Sequence, residues 1–579
     1  MSSSVLHKGF NFPLNVYAHV QMLQRGQVDY LHYGLFHDEN ASLSAAQQHS
    51  IELILSRLPA APCRILEVGV ELGTTYALLT RNGYQVHGIT PDAQQIAYIH
   101  EQIGSDVSIA CQCLRDYRAA PESYEVVLLH ESSQNIDPLV IFNQAQDLLV
   151  SSGSLLIADE FALRRVQPGL EGLHQIDEMI ALAGRFGFEL VERMDLSDMA
   201  APTLDHLLKA TTFYKRQLID DLNLQQGTLE QLDAANRASR EKYASGRYGY
   251  GLLHFRKKSV PRWRVGLLEE QHADEMMELF QRVFGHPMAP DMLQWKYGEN
   301  RGCEICVWQE GQMVAHYGGM GRSILLFGQA QMAVQIGDVM VNSNERGVLT
   351  RNGPFFLMTA TFLERYIGFG KLFLLGFGFP ESRHMRLAEK HGFYADTGGV
   401  TEVSWQPLVC KPFFWTRVRA YDPDKLADRM RLDALWGEMA AEMHQAIIGV
   451  RDADYIAQRY LRHPNKQYQV LWVVPRWGGK PLGLLVLRRE GDAVEVLDMV
   501  TPLRRIPLLV AHVRRLAGHD GAVRAYCWAG DGFYGNFLSG GGAARALDIR
   551  IPANSWSAGP APETLQNRWW VMSGDTDFR

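Results

Sequence analysis

Between residues 51 and 190, apolar runs of strand length alternate with segments of helix length, and this alternation narrows the fold more than any other feature of the chain. The strand-length runs lie at 64–68, 85–89, 107–111, 126–129 and 155–158. Strands separated by helices return in the same direction, so the pattern predicts an α/β fold with a parallel, doubly wound, Rossmann-like sheet. Runs at 188–193 and 248–255 would close the sheet as two more strands, with a polar helical stretch from about 204 to 243 between them. The charged segment Arg256-Lys-Lys-Ser-Val-Pro261-Arg-Trp then reads as a boundary that ends a first domain at 258.

Beyond the boundary the chain repeats itself. Asp291-Met-Leu-Gln-Trp295-Lys296-Tyr297 matches Asp454-Tyr-Ile-Ala-Gln458-Arg459-Tyr460. A strand, a turn and a second strand follow each copy (305–308 with 313–317, then 469–474 with 482–487). Each then reaches a strand that carries an aspartate, Asp338 in the first and Asp498 in the second. The aspartates that open and close each pattern are 47 and 44 residues apart, close enough for one duplicated unit. Two related mixed α/β domains are expected, over 262–405 and 410–579. The end of the chain, Trp569-Trp570-Val-Met-Ser-Gly574-Asp575-Thr-Asp577, reads as a closing strand and a polar end with no chemistry.

A chain of 579 residues exceeds what one core serves, so several domains and more than one activity fit it. The net charge of −7 gives no basic excess for nucleic acid, and no stretch approaches the ~18 uninterrupted apolar residues of a membrane span. The expected partner is a small-molecule or carrier-bound acceptor, with neither nucleic acid nor membrane. The first residues, Met1-Ser-Ser-Ser-Val-Leu-His-Lys-Gly-Phe, lack the apolar core of a secretory signal, and the seven scattered cysteines suit reduced thiols; both point to the cytoplasm. Cys303 and Cys306 form a CxxC without a second pair or a histidine cluster, in a stretch that reads as strand, and no metal site is read from it.

The run Ile65-Leu-Glu67-Val-Gly69-Val-Glu-Leu-Gly73-Thr74-Thr75 ends a strand, turns through two glycines and enters a helix. Glycines let the backbone approach a ligand, and the helix start offers free N–H groups to it. The E-x-G-x-x-x-G spacing departs from the dinucleotide fingerprint. It resembles the class I S-adenosylmethionine-dependent methyltransferases, and that resemblance implies a cofactor site at Glu67, Gly69, Gly73 and Thr74. The second strand reads Val86-His-Gly88-Ile-Thr90-Pro-Asp92-Ala-Gln-Gln95, similar to the cyclopropane-fatty-acid-synthase-like branch, which implies ribose contacts from Thr90 and Gln95. Asp116-Tyr117-Arg118 matches an element of the same branch and would put Cys113 and Leu114 near the adenine. Gln134-Asn135 stands where the lipid-modifying members carry Glu-His, so plain methyl transfer is expected instead of cyclopropanation. His130 and Glu131 at the end of the fourth strand are candidates for a general base, His130 equally for a structural role. Tyr30, His32, Tyr33 and Gly34, within the first 50 residues, read by the resemblance as a lid with Tyr33 on the cofactor, or else as an aromatic cluster that anchors the first helix.

In the first repeat, Asp338-Val339-Met-Val341 leads through Arg346-Gly347-Val-Leu-Thr-Arg351-Asn352-Gly353 to Pro354, a favoured first helical residue. Loop N–H groups, the helix start and two arginines suit a pyrophosphate. Here the chain resembles the GNAT acyltransferase superfamily, which implies acetyl-CoA or another acyl-CoA on Val339, Val341, Arg346, Gly347, Asn352 and Gly353. The segment from Leu374 to Lys390-His-Gly392-Phe393 resembles the next strand and helix of that family. Its usual tyrosine acid falls at Ala388 and its early asparagine at Glu381, leaving Asp338, Glu381 or His384 as the base. The second repeat follows Asp498 with Thr-Pro-Leu-Arg-Arg and no glycine loop, and is expected to be structural. The chain as a whole then reads as a bifunctional transferase that methylates and N-acylates an acceptor. The alternative is a methyltransferase whose GNAT-like pair only recognises a substrate or carrier.

Overall fold

A computed structural model describes residues 6–38, 41–164, 172–225, 227–299, 301–346 and 353–576. The chain divides into two compact units, residues 1–266 and 267–579. Among the described residues no helix is long and apolar enough to cross a membrane.

The first unit is built on β1 (Arg64–Val68), β2 (Gln85–Thr90), β3 (Ile109–Cys111), β4 (Tyr124–His130), β5 (Leu149–Ala162), β6 (Phe188–Asp195) and β7 (Tyr248–Lys257), with a short β8 (Arg264–Gly266) at its end. The first seven form one sheet in the order β3-β2-β1-β4-β5-β7-β6. Strands β1 to β5 run parallel, and β7 lies antiparallel between β5 and β6. Central strands covered by helices on both faces must be apolar throughout, which is why Ile65, Leu66, Val126, Val127, Leu128 and Leu129 are all buried. The strand order reverses between β1 and β4, so the crevice where such sheets bind ligands lies at the carboxyl ends of those two strands. The polar stretch expected at 204–243 forms three helices, Pro202–Phe213, Lys215–Leu222 and Thr228–Ala244, the second ending at Asn223 with a φ of 49°.

The second unit contains two sheets. In one, β9 (Gly302–Gln309), β10 (Gln312–Leu326), β11 (Gln329–Val341) and β12 (Leu375–Phe377) come from the first repeat. The other contains β13 (Tyr394–Trp405), β14 (Thr416–Ala420), β16 (Gln469–Pro475), β17 (Gly483–Glu490), β18 (Ala493–Val500), β19 (Arg524–Gly530) and β20 (Ala543–Asn554), in the order β14-β16-β17-β18-β19-β13-β20. Thus β13, from the first repeat, lies between two strands of the second. In return β15 (Ile447–Gly449) pairs with β10, and β21 (Trp569–Trp570) pairs with β15. The repeats are interlocked by exchanged strands. Trp405, Trp472 and Trp570 are buried in the shared core, and Trp405 donates to the Phe537 carbonyl over 3.0 Å.

The polar segment 573–576 is not solvated. Ser573, Gly574 and Asp575 are buried, and Asp575 accepts from Arg451 over 2.6 Å and from Arg322 over 3.1 Å. Asp498 takes the other side of Arg451 at 2.8 Å. A buried guanidinium needs such compensation, and two carboxylates supply it.

Candidate functional sites

At the carboxyl end of β1, Glu67 is buried and its Oε2 has no hydrogen-bond partner among the described residues. Burial, and then the neighbouring Glu71, push the Glu67 carboxyl well above its ordinary range. The chain then turns through Gly69 (φ 83°) and Gly73 (φ 74°), which conformations L side chains rarely adopt. A Cβ on Gly69 would come within 2.6 Å of Ser132 Cβ, so the turn runs hard against the segment after β4. Gly73 is the residue before the helix Thr74–Arg81, whose start has no side-chain cap. Thr74 donates to the Asp29 carbonyl, tying the helix start to the amino-terminal segment.

At the end of β2, Thr90 donates to Gln95 Oε1 over 2.7 Å, and both residues are buried. The bond uses the oxygen of the Gln95 amide and leaves its nitrogen as the donor end. Leu114 is buried, whereas Cys113 is exposed and its thiol donates to Asp116 over 2.8 Å.

The amino-terminal segment closes on β4 and β5. Tyr33 donates its backbone N–H to Glu131 Oε1 over 2.7 Å and its hydroxyl to Glu160 over 3.0 Å. Tyr250 donates to the same Glu131 oxygen over 2.8 Å, and Tyr243 to Glu160 over 2.9 Å. Asp159 accepts from the backbone N–H and hydroxyl of Ser133 and from Gln134 Nε2 at 3.2 Å. Gln134 thus orders a neighbouring carboxylate. Burial raises every carboxyl of this group: Glu71 to about 8, Asp159 to about 6, Glu131 well above its usual range and Glu160 upward. The group suits a ligand that brings positive charge. Burial lowers His32 to about 4 and His130 well below its usual value, so both rings are neutral at pH 7. The sequence pattern pointed to Glu131 and Tyr33; Tyr243, Tyr250 and Glu160 lie far apart in the chain and gave no motif.

In the second unit, a cavity of about 670 Å³ is lined by Asp338 and Val339 of β11, His384 and Ala388 of the helix Ser382–Lys390, and Tyr317, Tyr394, Lys296 and the rings of Phe280, Phe284, Phe355 and Phe379, among others. Asp338 has a φ of 48° and is firmly held. Both its oxygens lie 2.9 Å from Lys296 Nζ, Tyr297 donates to it over 2.7 Å, and His316 Nδ1 donates to its carbonyl over 2.8 Å. Burial works against the charged form, but the Lys296 ammonium and these donors outweigh it and hold the carboxyl below its ordinary value. His384 reaches the cavity, whereas Glu381 is exposed, precedes the helix Ser382–Lys390 without a side-chain cap to it and is not among the lining residues. Tyr317 and Tyr394 touch through their hydroxyls in the cavity wall. Burial raises the Tyr394 hydroxyl, keeping it a proton donor. Neither tyrosine falls in the expected motif position.

Val341 is half-buried, and Arg346 donates to its carbonyl over 2.9 Å. Gly353 precedes the helix Pro354–Tyr366, which begins at the expected proline and has no side-chain cap. Gly347 and Asn352 lie outside the described residues. Cys303 and Cys306 are buried in β9, and burial raises both thiols.

No curated protein matches the chain. Among solved structures, a cyclopropane synthase from Mycobacterium tuberculosis is similar at 17% identity and a TM-score of 0.37, over 44% of this chain and 95% of that one. A putative sarcosine dimethylglycine methyltransferase from Galdieria sulphuraria is 15% identical with a TM-score of 0.37, over 42% and 97%. A probable N-acyltransferase from Enterococcus faecalis is 13% identical with a TM-score of 0.39, over 50% and 71%. Residues 264–393 match the family model described as the acetyltransferase (GNAT) domain. The chain therefore carries a GNAT acetyltransferase domain over residues 264–393, preceded in sequence by a doubly wound α/β unit.

Proposed function

We propose that the protein is a bifunctional transferase, methylating a small or carrier-bound acceptor from S-adenosylmethionine in its first unit and N-acylating from an acyl-CoA in its second. The observation that carries the first activity is the buried Glu67 carboxyl, whose Oε2 has no hydrogen-bond partner among the described residues, beside a turn that only glycine fits. These features match a cationic, nucleoside-bearing cofactor. Glu67, Gly69, Gly73 and Thr74 would hold its methionine part, Thr90 and Gln95 its ribose, Cys113 and Leu114 its base. When bound, the cofactor supplies an electrophilic methyl group. The chain's own part is to orient the acceptor and receive its proton, for which Glu131 and His130 stand at the switch point, and to exclude water with the Tyr33 segment.

For the second activity, the uncapped start of the helix Pro354–Tyr366 with Arg346 suits a pyrophosphate, and the aromatic cavity suits an acyl group. With Asp338 bound to Lys296, His384 is the cavity residue best placed to take a proton from an amine, and Tyr394 to give one to the departing thiolate. A second reading, a recognition module without catalysis, is favoured by that same engagement of Asp338. Isothermal titration with S-adenosylmethionine and with acetyl-CoA tests both halves. Binding of each is expected, and thioester consumption separates catalysis from recognition. Failure of S-adenosylmethionine to bind would remove the first activity.

A further inference from the structure

Three side chains that reach the crevice from different parts of the first unit converge in a way that methyl transfer alone does not require. His32 lies in the segment between the helices Leu14–Arg25 and Leu43–Leu55, His130 ends β4, and Glu131 follows it with a φ of 55°. One ligand atom from each lies within 4.8 Å of the others. We propose that His32, His130 and Glu131 bind one divalent transition-metal ion at the acceptor side of the crevice.

The hydrogen bonds around the three residues leave a lone pair on each for an ion. The His32 ring faces the Tyr33 carbonyl through Nδ1 at 2.9 Å, and a carbonyl can only accept. The proton therefore sits on Nδ1 and the lone pair on Nε2, the tautomer that ligating histidines adopt. His32 is only 4% exposed, and its Nε2 has no partner among the described residues. A buried acceptor left without a donor carries an uncompensated desolvation penalty. Glu131 takes both its donors, the Tyr33 N–H and the Tyr250 hydroxyl, on Oε1, which leaves Oε2 for a cation. His130 Nε2 lies 3.3 Å from the Ser50 hydroxyl; donation to that oxygen leaves Nδ1 as its lone pair. Each residue thus has the outer partner that orients a metal ligand.

Around an ion with bonds of 2.0–2.1 Å, neighbouring ligand atoms lie about 3.4 Å apart, so capture asks for side-chain shifts of about an ångström. Two imidazoles and one carboxylate favour iron, cobalt or zinc over magnesium or calcium, and leave coordination positions open. The use of those positions rests on the methyl-transfer reading, in which the ion, by making a bound acceptor more acidic, would replace the proton-accepting part given above to His130 and Glu131. Ser132, the residue after Glu131, lies against Gly69 of the glycine turn, so an acceptor oxygen or nitrogen on the ion would be held close to the methyl donor's site.

The test uses full-length protein freed of metal with a chelator and titrated with Co2+ alone, read by visible absorption and calorimetry. One ion per chain is expected, with affinity at least about 10-fold weaker in His32→Asn and in Glu131→Gln. Glu131→Gln keeps an acceptor for Tyr33 and Tyr250, so its fold should persist, and thermal unfolding of both variants checks this. The His37–His49 pair, whose ring nitrogens also face each other, serves as the control: the double alanine variant should bind Co2+ like the wild type. No binding by the wild type, or unchanged binding in His32→Asn and Glu131→Gln, overturns the proposal. Co2+ binding without S-adenosylmethionine binding would leave the metal site standing and remove the methyl-transfer reading. The reverse result would remove only the metal.

Discussion

Tyr297 donates its hydroxyl to Asp338 across 2.7 Å. The same bond recurs in the second repeat, where Tyr460 donates to Asp498 across 3.0 Å, so the duplication seen in sequence is a duplication of a buried polar joint. The cations differ. Lys296 serves Asp338, but its sequence counterpart Arg459 turns to the carbonyls of Gly574 and Thr576, and Arg451 takes its place at Asp498.

Lys296→Met should therefore destabilise the second unit by about 3–5 kcal/mol, because it leaves a buried carboxylate uncompensated. Lys296→Met combined with Asp338→Leu should recover much of that loss. Denaturant unfolding of the two variants measures the difference, and equal destabilisation would show that the pair's charges do not matter.

If the glycine turn holds S-adenosylmethionine, Gly69→Ala should weaken its binding while sparing the rest of the unit. The new methyl would meet Ser132 Cβ at 2.6 Å from a backbone with φ 83°, so the turn must move. A loss of at least ~10-fold in S-adenosylmethionine affinity, about 1.4 kcal/mol, is expected by calorimetry.

Glu71 should make the first unit sensitive to pH. Its folded value, raised by burial to about 8, exceeds its ordinary one. The folded state therefore holds a proton that the unfolded state has lost, and the stabilisation is complete below about pH 4.5 and disappears as pH rises through about 8. Glu71→Gln should flatten this part of the profile, as followed by thermal unfolding between pH 5 and 9. Binding of a cation beside Glu71 should release protons, read as a dependence of the calorimetric heat on buffer ionisation.

Tyr394→Phe should lower the turnover of acyl transfer by about 10²-fold or more with little change in KM, if its hydroxyl protonates the leaving thiolate. Steady-state release of free thiol measures it. An equal rise in KM would assign the residue to binding instead.

The first unit's sheet was largely legible because buried parallel strands must be apolar throughout, and 126–129 stands out for that reason, whereas 188–193 is an antiparallel edge strand exposed beyond Phe188. The observed β5 is longer than the run at 155–158, since pairing with β7 from Ser154 to Ala162 extends it through residues with no alternation. The glycine turn was legible because positive φ leaves a mark on composition. Tyr243, Tyr250 and Glu160 were not, because a hydrogen-bonded cluster assembled from distant strands and helices has no spacing. The same holds for His32, which reads as one more aromatic residue until the fold sets it beside His130. The exchange of strands also left no trace, since edge and partner are properties of the assembled sheet.

That exchange has a consequence for how the protein can be divided. A fragment stopping at Trp405 would carry β13 with both of its edges bare, since its partners β19 and β20 lie more than a hundred residues downstream. Bare edges recruit other chains. The second repeat, which has no glycine loop, therefore acts as a built-in guard against self-association of the first.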